Sequence, residues 1–519
     1  MSPSGRPPIN PWIIAIAVMF GTFMEVLDTT VVNVSLPHIA GNLSASIDEA
    51  TWVLTSYLVA NAVILPMTGW LANYFGRKRL LMMSVTGFTV ASFFCGFATT
   101  LPMLVVFRVI QGAAGGALQP LSQAVLLESF PPEKRGKAMG VWGLGIVVAP
   151  ILGPVLGGWL TDSYSWRWVF YINIPVGVAC LMMTRAFVWD PAYIKRGSAR
   201  IDYWGIGMLT VGIGALQLML DKGQQEDWFS SAWINGLLVT SIICLAAFVF
   251  RELKIEAPVV NLRVFRDRSF ATGTLLMTVL GFVLYGSLVL LPIWLQTLLG
   301  YPSLQAGIAL APRGAGSFIA MPLVGILLAK GDPRKFLAGG ITIGALTLFQ
   351  LSRLDLSAGY WDFFWPQFIQ GTSLALMFVP LTTVSMARIP KEQMGNATSI
   401  FNLLRNMGGS IGIAGVTTML ERVSQNHMTT LSSHVTPFDA GSRAMLDGIQ
   451  RSFEAHGMPA ATAAKQAYVA LYGMMARQAT MLSFVQVFRV LAGIFVLLLP
   501  LLMIMKRPPK TAQAPAGMH

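Results

Sequence analysis

WIIAIAVMFGTFMEVLDTTVVNVSL, residues 12–36, is 25 residues long and contains two charged groups, Glu25 and Asp28. A helix needs roughly 20 apolar residues to cross a bilayer core. Continuous apolarity, rather than the alternation of a short barrel strand, selects a helix. The stretch therefore reads as a membrane-spanning helix carrying two acids where charge is expensive. Only Arg6 precedes it as a charge, and it lacks a small-residue cleavage site, so a cleaved leader is not expected.

The same reading recurs along the chain. Apolar runs at 50–72, 80–98, 103–127, 138–160, 166–188, 203–220, 233–250, 270–298, 304–329, 336–352, 361–386, 397–419 and 480–505 bring the expected number of spans to fourteen. Of the 519 residues, 54% are hydrophobic and only 11% charged, with a mean hydropathy of +0.63. Soluble domains carry about 25% charged residues, so there is too little polar surface here to cover two or three soluble domains. The expected fold class is an all-α integral membrane protein whose main partner is the lipid bilayer. Cys95, Cys180 and Cys244 are scattered through apolar runs, which predicts buried packing residues without metal or disulfide spacing.

The net charge of +13 could suggest a nucleic-acid partner. The placement of the charges argues for topology instead, and no nucleic acid is expected. With the N-terminus inside, 24 of the 36 Lys and Arg fall in inner segments, among them Arg77, Lys78, Arg79, Lys134, Arg135, Lys137, Arg185, Lys195, Arg196, Arg200, Lys330, Lys506, Arg507 and Lys510. Eight fall outside, and Arg108, Arg313, Arg405 and Arg489 lie within spans. This bias predicts that both termini are cytoplasmic, which requires an even number of spans.

Two segments repeat at an offset of 259 residues. Gln111-Gly112 returns as Gln370-Gly371, and Pro131-x-Glu133-x-x-Gly136-x-Ala138 returns as Pro390-x-Glu392-x-x-Gly395-x-Ala397. The offset equates span 4 with span 12. It predicts an N-terminal six-helix bundle over 1–188, two inserted spans with their flanking loops over 189–268, and a C-terminal six-helix bundle over 269–505. A long outer loop is expected at 421–479 and a cytoplasmic tail at 506–519. Parallel halves around a midplane site are the logic of alternating-access carriers.

Glu25 and Asp28, three apart, share one helix face. Asp28 sits roughly 13 Å deep counted from Pro37, and Arg108 roughly 9 Å deep counted from Pro102. Their depths differ by less than one turn, so a proton-handling pair is expected there. Arg313, Arg405 and Arg489 lack acidic partners in the second half. Backbone carbonyls, an aqueous cavity and an interface remain open as their surroundings. Span 5 carries Pro150, Gly153, Pro154, Gly157 and Gly158; the small residues permit close helix approach and the prolines permit bending.

FMEVLDTTVVNVSLPHIAGNL at 23–43, GWLANYFGRKR at 69–79, RVIQG at 108–112, the span 5 run at 149–158 and WRWVFYINIPVG at 166–177 together resemble the major facilitator superfamily. Within it, the chain is similar to the EmrB/QacA family of fourteen-span drug:proton antiporters, with the EmrB branch the nearer. The resemblance implies two six-helix bundles plus two extra helices. It implies export of amphipathic, drug-like substrates with protons as the coupling ion and no cofactor. It assigns proton transfer to Arg108 and inner gating to the loop of Gly69, Asn73, Gly76, Arg77 and Lys78. It further implies a bacterial inner membrane, a periplasmic membrane-fusion adaptor and an outer-membrane channel. One residue departs from the pattern: the family's usual loop aspartate is Asn73 here, so the inner latch must be weaker or made by another group.

Residues 459–478 have helical character and are expected to extend the last span outward, where the resemblance suggests contact with the adaptor. The alternative on the same fold is an exporter of one physiological metabolite or siderophore. An enzyme is not expected, because none of the five histidines lies in a predicted span and no catalytic or metal set clusters.

Overall fold

The computed structural model describes residues 10–190, 201–256, 258–328, 331–436 and 438–503. Arg6, Lys195, Arg196, Arg200, Lys330, Lys506, Arg507, Lys510 and the tail 506–519 therefore lie outside the described residues. Among those described there is no strand. Twelve helices are long and apolar enough to cross a membrane: α1 (Pro11–Asn42), α2 (Ile47–Phe75), α3 (Arg77–Phe97), α4 (Leu101–Ser129), α5 (Pro132–Ser163), α6 (Trp168–Phe187), α7 (Tyr203–Lys222), α8 (Ala232–Lys254), α9 (Arg268–Thr297), α10 (Gln305–Leu327), α12 (Tyr360–Met386) and α14 (Ala460–Leu502). α11 (Pro333–Leu351) and α13 (Met394–His434) occupy the two remaining predicted positions.

Local chemistry sets the helix ends. Asn10 accepts from the Trp12 amide, Asp202 caps α7, Asp267 caps α9 and Asp332 caps α11, each satisfying an amide that the helix itself leaves open. The corner between α2 and α3 turns on Gly76, whose φ of +88° a residue with a Cβ rarely adopts. Large apolar side chains such as Phe93, Phe94, Val106, Ile242, Ile243 and Phe250 stay exposed on the outer walls. Lipid is the solvent that suits that wall.

Helix packing repeats with the sequence. α1 lies on α5 and α2 on α4; eight helices later α9 lies on α13 and α10 on α12. The repeated glycines occupy matching places. A Cβ on Gly112 would stand 2.3 Å from the Tyr57 carbonyl of α2, and one on Gly371 would strike the Arg313 carbonyl of α10. Between the two sets, α5 packs on α10, and α13 on both α2 and α4. The inserted α7 lies along this seam. Lys222 donates to Thr51 of α2 at 2.6 Å, and Gln217 donates to Ser410 of α13 at 3.1 Å.

One expectation needs correction and one is extended. The long segment 421–479 is largely helical: α13 runs on to His434, a separate helix spans Ala440–Ala455, and α14 begins at Ala460, the extension expected over 459–478. Its alanine-rich start, AATAAKQAYVALYGMMARQ, favours helix strongly enough to propagate the span outward. Cys244 is only half-buried, because α8 is mostly lipid-facing, whereas Cys95 and Cys180 are buried.

Candidate functional site

The first site is assembled by α1, α4 and α6, helices that bring residues up to 145 positions apart into contact. Asp28 and Arg108 are both fully buried, and Arg108 Nη1 donates to Asp28 Oδ2 at 2.5 Å. The other carboxylate oxygen accepts from Gln111 Nε2 at 3.0 Å and from Asn173 Nδ2 at 2.8 Å. Arg108 Nε donates to the Val53 carbonyl at 3.0 Å, and the guanidinium lies 4.1 Å over the Tyr57 ring. Asn173 also reaches Ser92 of α3 at 3.0 Å, and Cys95 donates to Gln111 at 3.4 Å. A buried ion pair tolerates desolvation best when its remaining hydrogen-bonding capacity is met; here both carboxylate oxygens have partners, while Arg108 Nη2 has none among the described residues. Protonating Asp28 would remove the charge that holds Arg108 and Gln111, so this cluster can convert a proton into a local rearrangement. Arg108→Ala would leave Asp28 buried without its counter-charge, at about 3–5 kcal/mol. A drop in thermal stability of the purified protein and loss of transport are the expected readings; normal transport would reduce Arg108 to packing.

Glu25 faces a second cluster, at the seam. Asn61 Nδ2 donates to it at 2.9 Å, with Gln119 of α4 and Arg405 of α13 also beside it. Arg405 donates to Gln119 Oε1. Further along the same two helices, Asn402 donates to Gln123 at 2.5 Å and Thr398 to the Pro120 carbonyl at 3.1 Å. The hydrogen-bond partner of Arg405, Gln119, thus comes from the opposite half of the chain, as does the nearby carboxylate of Glu25. Arg313 is buried on α10 and donates to Ser287 at 3.0 Å, with no carboxylate among the described residues paired to it. Arg489 is exposed on the wall of α14 and joins neither cluster.

The loop between α2 and α3 is held by charge at a position other than Asn73. Arg77 forms a buried ion pair with Glu128 at the end of α4, while Asn73 is exposed. The Lys78 amide donates to Asp190 at 2.7 Å, and its ammonium donates to the Arg185 carbonyl at 2.6 Å. Gly69 marks a close approach of the halves: a Cβ there would lie 2.6 Å from Asn396 Cα. Because Arg77 already has Glu128, Asn73→Asp is expected to preserve or strengthen inner closure, read as unchanged or slower inner-side labelling; complete loss of transport would contradict that.

In α5, Gly153 and Gly157 give the close approach expected of them. A Cβ on Gly153 would strike Thr30 of α1, and one on Gly157 would lie 2.9 Å from the Val31 carbonyl. Gly158 does not share this role, since it faces open space. Pro150 and Pro154 lie inside a continuous helix, and Pro154 Cβ would stand 3.2 Å from a Cβ at Gly307 of the short helix Ser303–Ile308. Asn173, Ser92, Tyr57, Asn61, Gln119 and Gln123 were not among the residues predicted for the site. The one available signal was polarity inside otherwise apolar spans.

The family model described as Major Facilitator Superfamily matches residues 18–413, from α1 into α13. The chain belongs to the major facilitator superfamily. It is 38% identical over 508 residues to the multidrug export protein EmrB of Escherichia coli (strain K12), covering 98% of each chain. It is 42% identical over 444 residues to the fatty acid resistance protein FarB of Neisseria gonorrhoeae, covering 84% of this chain and 86% of that one. The crystal structure of the human organic anion transporter MFSD10 (TETRAN) shares the fold, with a TM-score of 0.62 at 13% identity, covering 96% of this chain and 100% of that one. This major facilitator chain is accordingly a multi-pass membrane transporter similar to bacterial multidrug export proteins.

Proposed function

We propose that the chain exports amphipathic, drug-like molecules across the bacterial inner membrane in exchange for protons. The carrying observation is the Asp28 carboxylate, fully buried in α1 and bound by Arg108, Gln111 and Asn173. An intramembrane acid in such a setting serves best as a proton carrier. Glu25 supports the coupling step. Its neighbours Gln119 and Arg405 belong to opposite halves, so tilting the halves changes what surrounds it. The geometry suits alternating access, with an inner seam that opens when the Gly69–Asn396 contact and the Gln123–Asn402 bond part.

With both termini in the cytoplasm, as the charge bias favours, the outward extensions of α13 and α14 and the helix Ala440–Ala455 stand in the periplasm. That position suits contact with a membrane-fusion adaptor leading to an outer-membrane channel. The 42% identity to a fatty acid resistance protein favours acidic amphiphiles among the cargoes. The narrower alternative, one metabolite or siderophore, predicts a single accepted compound. Purified protein in liposomes with an imposed pH gradient, screened against chemically varied amphiphiles, separates the two readings. Uptake of several unrelated compounds supports the broad one, and no response to the gradient refutes proton exchange.

A further inference from the structure

The repeat that places Gln370 at the position of Gln111 also places Ser287 at that of Asp28 and Gln367 at that of Arg108. The second half therefore lacks both members of the ion pair at their own positions. A guanidinium nevertheless reaches the equivalent spot from a different helix. Arg313 of α10 is 4% exposed and donates Nη2 to Ser287 Oγ at 3.0 Å. Among the described residues its Nε and Nη1 meet no acceptor and no carboxylate is paired with it. Burying an unpaired guanidinium in a membrane protein costs several kcal/mol. The first half meets that cost with Asp28; the second half has put a serine there.

A cavity of about 10 Å³ lies against this guanidinium, lined by Ser287, Gln370 and Ser373 with Leu284, Met377 and Phe495 around them. That volume is about one probe sphere, room for a single oxygen atom or an ion of similar size. The Gln370 amide can donate into it, having no carboxylate to hold as Gln111 does, while Ser287 positions the guanidinium, accepting from Arg313 and donating to the Leu284 carbonyl at 3.0 Å. The guanidinium thus sets the sign of the pocket: a buried cation with one amide donor beside it, and no acid among the residues that line it.

We propose that Arg313, held by Ser287, and Gln370 form an anion site that takes one negatively charged atom, either a free small anion such as chloride or one oxygen of the carboxylate of an amphipathic cargo. The anion completes in the second half the charge pair that Asp28 completes in the first. Where the ligand is cargo, the proposal rests on the exporter reading. The test uses binding rather than transport, so failure of one leaves the other standing.

Full-length protein is purified in detergent with gluconate, too bulky for the cavity, as counter-ion. Thermal stability is measured against added chloride, and affinity against decanoate and its uncharged analogue decanol. Four proteins are compared: the parent, Arg313→Gln, Arg313→Lys and Ser287→Asp. In Arg313→Gln, decanoate should bind roughly tenfold more weakly with decanol unchanged, or chloride should cease to stabilise. The first result assigns the site to cargo carboxylates and the second to a free anion. Arg313→Lys should retain part of the response. Ser287→Asp supplies the carboxylate internally, so it should fold at least as stably as the parent without added anion and lose the response. Parent-like anion responses in both Arg313→Gln and Ser287→Asp, or equal loss of decanoate and decanol, would overturn the proposal.

Discussion

Asp28→Asn is expected to reduce pH-gradient-driven export to the level of protein-free liposomes. The substitution keeps the side chain's size, so Asn173 and Gln111 retain a neighbour of nearly the same shape. What is lost is the ability to bind and release a proton, together with the charge that holds Arg108. Breaking a buried pair by removing one partner costs about 3–5 kcal/mol, so a lower melting temperature should accompany the loss of transport. Instability and lost chemistry can be told apart. Adding Arg108→Gln removes the orphaned cation and should restore stability, because two groups in one network do not contribute additively. Transport should stay absent in that stable double variant. Gradient-driven export that survives in Asp28→Asn would remove this carboxylate from the mechanism.

Gly69→Leu should have the second large effect, acting on conformation rather than on proton chemistry. The halves meet backbone to backbone at this point, with a Cβ position 2.6 Å from Asn396 Cα and 2.7 Å from its amide nitrogen. No rotamer choice relieves a Cβ clash with main-chain atoms, so the closed inner seam must open to admit the leucine. Overpacking costs about 1–3 kcal/mol, and a bias of that size shifts a two-state ratio roughly 5- to 150-fold. Transport should collapse although the protein remains folded. A cysteine introduced at Thr398, buried in the seam beside the Pro120 carbonyl, should label severalfold faster with a maleimide in this background. Unchanged labelling together with normal transport would show that the Gly69–Asn396 contact is incidental.

The architecture was legible because lipid leaves a plain mark on sequence: a span facing hydrocarbon must be apolar along its whole length. α8, mostly exposed, is the clearest case. α13 was harder to read, because a helix enclosed by α2, α4 and α9 can carry Asn402, Arg405 and Asn406 without meeting lipid. Its outward extension to His434 is polar and carries no membrane signal at all.

The Asp28–Arg108 pair could be read from depth, counted from Pro37 on α1 and Pro102 on α4, although α1 runs on past Pro37 to Asn42. The partner of Arg405 could not, because Gln119 lies 286 residues away and in the opposite half. Asn173 was likewise hidden. A single asparagine in an apolar run fits a helix-packing role as well as it fits a ligand of the Asp28 carboxylate. Arg77 shows the reverse limit: the loss of the usual aspartate at Asn73 was visible, but its compensation by Glu128, on a different helix, required the fold.

Exchange of protons for cargo can be observed without any imposed pH gradient. Liposomes containing the purified transporter and a trapped pH indicator are given a gradient of an exported amphiphile alone. Cargo moving in one direction should drive protons in the other, changing the lumenal pH with the sign set by the cargo gradient, and Asp28→Asn liposomes should show no such change. Cargo that moves down its gradient while the lumenal pH stays constant, with a flux indifferent to acid on either side, would rule out proton exchange.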